Sequence, residues 1–147
     1  MKFSTIILTL LLVAPLMASS QCRSFTKKKC LPLLNGYAHN DNFNSAVLIP
    51  GDEAELLLTF YQGKEYRLVV CGQAILGDVQ FDVFTTNEEK IYSNVNAAGE
   101  NLGKSFDFKV ASTQQLIVRI RVPENESAST LVHEGCVSIM VGSKDEG

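Results

Sequence analysis

Hydrophobic and polar residues alternate with a period of two in several stretches of the chain beyond residue 60. The clearest stretches place apolar side chains at every second position over residues 79–83, 106–110, 116–122 and 137–141. This pattern predicts strands that bury one face in a core and turn the other toward water. Two earlier segments, 54–61 and 66–71, are rich in strand-forming residues, and Gln62-Gly63 between them fits a tight turn. No window beyond residue 20 shows a convincing amphipathic helix.

Seven to eight short strands in one small domain predict an antiparallel β-sandwich of the jelly-roll or immunoglobulin-like type. Three polar stretches interrupt the strands: Asn35–Asn44, Asn94–Lys104 and Pro123–Gly135. Long loops on a rigid double sheet commonly carry binding function. We therefore expect ligand contacts from loops at one end of the sandwich. We also expect Asn94–Lys104 to tolerate replacement without loss of folding.

The first 20 residues have the form of an export signal. Met1-Lys2 is positive, Ile6–Val13 is an apolar run too short to span a bilayer, and Ala18-Ser19-Ser20 fits a signal peptidase site. We expect cleavage after Ser20 and a secreted or periplasmic protein. A lipid anchor on Cys22 is disfavoured because Gln21, which is not a small residue, precedes it.

Removal of 20 residues from the 147-residue chain leaves 127, the size of one domain. We divide it into an N-terminal disulfide loop region (21–44), a sandwich (45–142) and a tail (143–147). Without Lys2 the chain has 12 basic and 16 acidic residues, a net charge of −4. This balance disfavours nucleic acid or an anionic membrane as a partner. We expect a monomer without a transmembrane segment, whose partner is an extracellular or periplasmic protein or glycan.

Four cysteines follow the export signal: Cys22, Cys30, Cys71 and Cys136. An even number in an exported chain predicts two disulfides. The strand phases put Cys71 and Cys136 on the same non-core face, at strand ends that meet if the two strands are antiparallel neighbours. This favours a Cys71–Cys136 bridge, which leaves Cys22 and Cys30 to close a small loop. The other two pairings stay open.

Several segments resemble a family of small secreted bacterial proteins. That family has an N-terminal C-x7-C pair, a G-x-x-Y-R-[IL] strand and a late G-C-V-S strand; the resembling segments here are Tyr61–Cys71, Ile75–Phe81, Phe106–Phe108 and Thr113–Val118. More distantly, the order of hairpins resembles the bacterial pre-peptidase C-terminal domain, a sandwich appended to secreted proteases. The first family implies no assigned activity, and the second implies a non-catalytic accessory role.

Candidate chemistry is sparse. The two histidines, His39 and His133, belong to no recognisable catalytic or zinc motif and are best explained as structural or solvent-facing residues. The run Lys27-Lys28-Lys29 is best explained as a solvated loop. No cofactor is indicated.

Two weaker signals concern metal and sugar. Asp41, Asn42 and Asn44 are calcium candidates, but a single carboxylate is too little charge, so no metal site is predicted. Tyr37, Tyr61 and Tyr92 could stack on a sugar, although the absence of Trp argues against a carbohydrate platform.

The sequence therefore favours a secreted or periplasmic non-enzymatic β-sandwich for binding or structural interaction. The alternatives are a small hydrolase or metal-dependent enzyme with its site in the loops, and a periplasmic inhibitor-type protein.

Overall fold

The computed structural model describes residues 22–40, 43–124 and 132–146. Within these ranges the chain forms eight strands. They are β1 (Asn44–Leu48), β2 (Glu53–Phe60), β3 (Lys64–Gly72), β4 (Gln80–Thr85), β5 (Lys90–Ser93), β6 (Ser105–Lys109), β7 (Gln114–Arg121) and β8 (Gly135–Asp145).

The strands form two antiparallel sheets. The front sheet has the order β1-β8-β3-β6 and the back sheet has the order β2-β7-β4-β5. Every connection except the β4–β5 hairpin passes from one sheet to the other, which is the winding of a jelly roll. The predicted antiparallel sandwich is confirmed, and the strand order selects the jelly-roll form over the immunoglobulin-like one.

The core between the sheets contains the residues that the alternation predicts. Phe81 and Val83 on β4 and Leu116, Val118 and Ile120 on β7 are buried in it. A continuous set of ring contacts extends this core toward the β5 and β6 edges, through Phe60, Tyr66, Phe108, Phe106, Tyr92 and Phe81. The local pattern therefore determines which face of each strand points inward.

A second apolar cluster covers the outer face of the front sheet. The N-terminal helical segment (22–34) is a succession of short helical turns. It packs Cys30 and Leu34 against Val69, Cys71 and Met140. Strands β3 and β8 are consequently buried on both faces, which alternation alone does not predict. This segment is a packed layer of the domain rather than a separate disulfide loop region.

The structure contains two disulfides, but they are not the predicted pairs. Cys22 is joined to Cys136 and Cys30 to Cys71, so the expected Cys71–Cys136 and Cys22–Cys30 bridges are wrong. Strands β3 and β8 are indeed antiparallel neighbours, but the register places Cys71 opposite Ser138. Cys136 lies two residues away along β8, and each strand cysteine instead meets one from the N-terminal helical segment. The Cα–Cα distances of 5.4 and 5.7 Å are ordinary for disulfides.

Two predicted boundaries also need correction. The sequence pattern does not predict β1, which begins at Asn44, inside the segment assigned to the N-terminal loop region. Strand β8 continues to Asp145, so the predicted tail does not begin at 143. Pairing with the first residues of β3 extends β8, since Asp145 lies opposite Lys64 and Lys144 opposite Glu65.

One ion pair fixes the outer side of the front sheet. The Arg67 guanidinium donates two hydrogen bonds of 2.8 Å to the Asp107 carboxylate and lies over the Tyr37 ring. The bonds from Arg67 lower the pKa of Asp107, and the same contact raises the pKa of Arg67.

Loss of the Arg67–Asp107 ion pair should change how the free energy of unfolding depends on pH in the acid range. A carboxyl group with a lowered folded-state pKa stabilises the protein above its unfolded pKa of roughly 3.9, and this contribution disappears as the pH falls through the folded-state value. We expect Asp107→Asn to lower the free energy of unfolding by up to about 1 kcal/mol at pH 7, because the pair is half-exposed. The difference from the unaltered protein should shrink as the pH is lowered from 7 through roughly 3.9 and on toward the lower folded-state pKa of Asp107. Urea titrations between these pH values test this, and Glu89→Gln, an acid without an ion pair, is the control. A pH-independent difference would contradict the assignment.

Candidate functional site

Four loops meet at one end of the sandwich, which we call the loop end: 49–52, 73–79, 94–104 and 122–134, the last described at 122–124 and 132–134. The strand register brings them together. In the front sheet Leu48 lies opposite Gly135, and Gly72 lies opposite Val137. In the back sheet Arg121 lies between Glu53 and Gln80. The sequence singles out two long loops, 94–104 and 123–135, and the described residues of both lie at the loop end. The segment 35–44 approaches the opposite end.

Within the described residues, each of these loops exposes one large aliphatic side chain. Ile49 is 36% exposed, Ile75 and Leu102 are each 55% exposed, and Val132 is 68% exposed. Single exposed aliphatic residues are common on protein surfaces, but four at one end, each from a different loop, form a group that needs explanation.

A cleft of about 980 Å³ opens between the 73–79 and 94–104 loops, Glu134 and the N-terminal helical segment. Its floor is the end of β3, at Cys71 and Gly72, and Ile75 contributes to its wall. Lys104 immediately precedes β6 and Glu134 immediately precedes β8, so the cleft has a basic residue on one side of β3 and an acidic residue on the other. The cleft can therefore accept an apolar group together with charged groups of both signs.

Asn94 holds the 94–104 loop in place from inside the protein. Its side chain is almost fully buried: Oδ1 accepts the N–H of Phe81 at 2.8 Å, and Nδ2 donates to the carbonyl oxygens of Val79 and Gly103 at 3.0 Å each. The main chain of Asn94 also bonds to Phe81 and Leu102. Two of these partners, Val79 and Gly103, line the cleft. Asn94 thus positions the cleft wall without itself contacting the cleft.

The tip of the same loop has its own hydrogen bonds. Asn96 Oδ1 accepts the N–H groups of Ala98 and Glu100, and Asn96 Nδ2 donates to the Glu100 carboxylate at 2.9 Å. Val95 and Asn101 form an antiparallel bridge across the loop. An Asn side chain that bonds to main-chain groups two and four residues later stabilises a turn. The loop that carries Leu102 is therefore ordered before any partner binds.

The 73–79 loop lies tightly against the ends of β3 and β8. A Cβ atom on Gly72 would approach Val79 Cγ2 to 2.6 Å, and one on Gly135 would approach Leu76 Cγ to 2.7 Å. Gln73 and Cys136 exchange two hydrogen bonds, one from each main-chain N–H. Glycine is favoured at both positions because the Val79 and Leu76 side chains of the loop pack directly on the two strand ends.

The carboxylates of the protein are unevenly paired. Of the 14 carboxylates in the described part, eight lie within 4.0 Å of Lys or Arg, and all eight are on the sheet faces or at the end opposite the loop end. The other six have no such ion pair. Five of them are on the loop end: Asp52, Asp78, Glu100, Glu124 and Glu134. The loop end therefore presents five carboxylates without a Lys or Arg partner in the described structure, near its exposed aliphatic side chains.

The structure separates the two histidines. His39 follows Ala38, which bridges to Ser143 near the end of β8, and His133 lies two residues before the start of β8. Eight strand residues between Gly135 and Ser143 correspond to roughly 25 Å. They therefore do not contribute to one site.

The three tyrosines do not form a platform. Tyr37 packs on the outer face of the front sheet beneath Arg67 and Lys144. Tyr92 stacks on Phe106 at the edge of the core, where burial raises its pKa, and Tyr61 is exposed at the β2–β3 turn. Of the calcium candidates, Asp41 and Asn42 lie outside the described residues, and Asn44 is the first residue of β1. The described ranges contain no group of three or more His, Cys, Asp or Glu side chains that could hold a metal ion.

Sequence reasoning missed Ile49, Ile75, Leu102, Val132 and Asn94 as site residues. Leu102 and Val132 stand in the polar stretches 94–104 and 123–135 that the sequence singles out, whereas Ile49 and Ile75 stand beside other apolar residues and carry no such signal. In the described part of the chain no helix is long and apolar enough to cross a membrane.

No family model matches the chain, and no curated protein sequence matches it. Solved structures similar to it include the following two. One is PliG from Aeromonas hydrophila, a periplasmic lysozyme inhibitor of g-type lysozyme, with 12% identity over 74% of this chain and 89% of that chain and a TM-score of 0.47. The other is a de novo designed double-stranded β-helix, with 16% identity over 70% of this chain and 99% of that chain and a TM-score of 0.32. At these values neither structure indicates a function for this chain.

Proposed function

We propose that this chain is an exported, non-enzymatic β-sandwich that binds a protein partner through its loop end. The observation that carries the proposal is the group of four exposed aliphatic side chains, each from a different loop, at the end of the sandwich where a cleft of about 980 Å³ opens beside Ile75. The central part of a protein interface is apolar and depleted in charge, with polar groups at its rim. Ile75 and Leu102 beside the cleft, with carboxylates around them, match this arrangement.

The rigidity of the loop end supports the same function. The buried Asn94, the Asn96 turn and the close packing of Gly72 and Gly135 fix the loops before binding. A surface that is already ordered loses little conformational entropy when it binds, so more of its contact energy contributes to affinity.

A protein fits this surface better than a glycan. Sugars are commonly held on exposed aromatic rings, whereas the tyrosines here lie in three different places and the loop end presents aliphatic groups. The two disulfides are typical of proteins of oxidising compartments, which supports an extracellular or periplasmic location. An inhibitor would be one form of such a protein-binding module.

Site-specific crosslinking in the producing cells tests the proposal. A photo-crosslinking amino acid replaces Leu102 in one variant and Leu57 in another. Leu57 is the matched control because it is 52% exposed, close to the 55% of Leu102, but lies on the outer face of the back sheet. We expect a discrete protein adduct from position 102 and none from position 57. Adducts from position 57 alone, or equal adducts from both positions, would contradict the proposal.

A further inference from the structure

We infer that the partner presents a cationic surface to the loop end, with Lys or Arg side chains opposite its carboxylates and an apolar side chain directed into the cleft. This inference rests on the proposed function and adds the chemistry of the partner. The aliphatic side chains and the cleft define the docking surface, and the charges select what docks there.

The ion pairs of the described residues lie outside the loop end. On the outer face of the back sheet, Arg119 pairs with Glu55 and Glu88, and Arg121 pairs with Glu53. At the end opposite the loop end, Lys109 and Lys144 share Glu65. The charges named on each of these surfaces sum to only one unit and are paired, so they exert less long-range attraction on a charged partner than a cluster of unpaired carboxylates.

The loop end differs because its acids come from four separate loops and none is paired with Lys or Arg in the described structure. Glu124 also lies close to the β1–β2 turn, since a Cβ atom on Gly51 would be 3.1 Å from Glu124 Oε1. Asp52 is the next residue of that turn, so two of the carboxylates belong to adjoining loops. The Asp52 carboxylate accepts the Ile49 N–H at 3.0 Å, which places it beside one of the exposed aliphatic residues.

Basic residues confine the negative potential of these carboxylates to the loop end. Lys29 and Lys104 line the cleft, and Lys27 and Lys28 are exposed on the N-terminal helical segment beside the front sheet. A cationic partner is therefore attracted to the carboxylate loops and repelled from the N-terminal helical segment. Such a charge pattern fixes orientation and accelerates association more than it adds affinity.

Selection from a display library of disulfide-cyclised random peptides on the immobilised mature protein tests the inference. We expect enriched peptides with an excess of Lys and Arg and at least one apolar residue. Their association rate should fall steeply when salt is raised from about 0.05 M to about 0.5 M, because screening removes electrostatic steering.

Charge reversal at single carboxylates shows where on the surface the electrostatic attraction acts. Glu124→Lys and Glu134→Lys should each slow association at least about tenfold, and Glu124→Gln should slow it by a smaller factor. Glu89→Lys is the matched control, because Glu89 is the one acid of the described part that lacks an ion pair yet lies outside the loop end, in the β4–β5 turn. It should leave the rate within about twofold of the unaltered protein. All these side chains are exposed, and urea unfolding of each variant verifies the fold.

Peptide binding to the Leu102→Asp variant, with Leu57→Asp as its control, distinguishes the proposed function (binding through the loop end) from the inference that the partner is cationic. Neutral or acidic peptides that lose binding with Leu102→Asp but not with the charge reversals would overturn the cationic partner and leave the proposed function standing. Peptides insensitive both to Leu102→Asp and to the charge reversals would overturn the proposed function, and the inference with it.

Discussion

Replacing Cys22 and Cys136 together by serine should lower the free energy of unfolding by about 4–5 kcal/mol and release the N-terminal helical segment. The bridge joins residues 114 positions apart. In the chain-entropy model a loop of that size contributes roughly 4.8 kcal/mol, near the upper end of the range of about 2–5 for native bridges in small secreted domains. Loss of the bridge also weakens the packing that covers Val69 and Met140 on the front sheet.

The second bridge provides the matched comparison. Cys30 and Cys71 are 41 positions apart, for which the same model gives roughly 3.9 kcal/mol. We therefore expect the Cys30→Ser/Cys71→Ser variant to be destabilised somewhat less than Cys22→Ser/Cys136→Ser in urea unfolding. Peptide mapping without reduction checks the connectivity directly. A peptide that contains Cys71 bonded to Cys136 would show that the two strands pair in a different register.

Asn94→Asp should cost about 3 kcal/mol or more of stability and disturb the cleft, although the two side chains have nearly the same shape. Nδ2 donates to the carbonyl oxygens of Val79 and Gly103, and a carboxylate would instead place negative charge against both. Each buried group left without its partner costs about 1–3 kcal/mol, and more when a charge is involved. The loss should shrink at low pH, because a protonated carboxyl group regains one donor.

Asn101→Asp is the control for this prediction. Asn101 is exposed in the same loop, and its Oδ1 accepts the N–H of Gly103 at 2.8 Å, a bond that a carboxylate keeps. Its effect on the free energy of unfolding should stay within about 0.5 kcal/mol. Thermal and urea unfolding of both variants measure the difference. Equal destabilisation would mean that the loop is sensitive to charge in general rather than to the loss of the buried donor.

The role of Asn94 also corrects the expectation that Asn94–Lys104 can be replaced freely. Asn94 bonds to β4 from the beginning of the loop, and the Lys104 carbonyl accepts the Val70 N–H at 2.8 Å at its end. Both ends of the segment therefore belong to the fold. The tip of the loop, residues 96–100, is largely exposed and is the part suited to replacement. A binding test by loop exchange should be restricted to that tip.

Sequence alone determined six of the eight strands, all except β1 and β5, and the direction in which the side chains of the alternating ones face. Phe81, Leu116, Val118 and Ile139 are buried as the alternation predicts, because the period-two pattern is a local property of an extended chain. The even cysteine count likewise indicated disulfides before any contact was known. The polar loops 94–104 and 123–135 were recognisable as candidate binding segments for the same reason, since turn and loop composition is local.

Tertiary structure decided everything that depends on which distant segments meet. Cys71 lies opposite Ser138 rather than Cys136, a difference of two residues in register that redirects both disulfides to the N-terminal helical segment. The same segment buries the second face of β3 and β8, and the jelly-roll winding places Ile49, Ile75, Leu102 and Val132 at one end. Alternation specifies the face of a strand but not its neighbour or its register, because those are chosen by the packing of the whole domain.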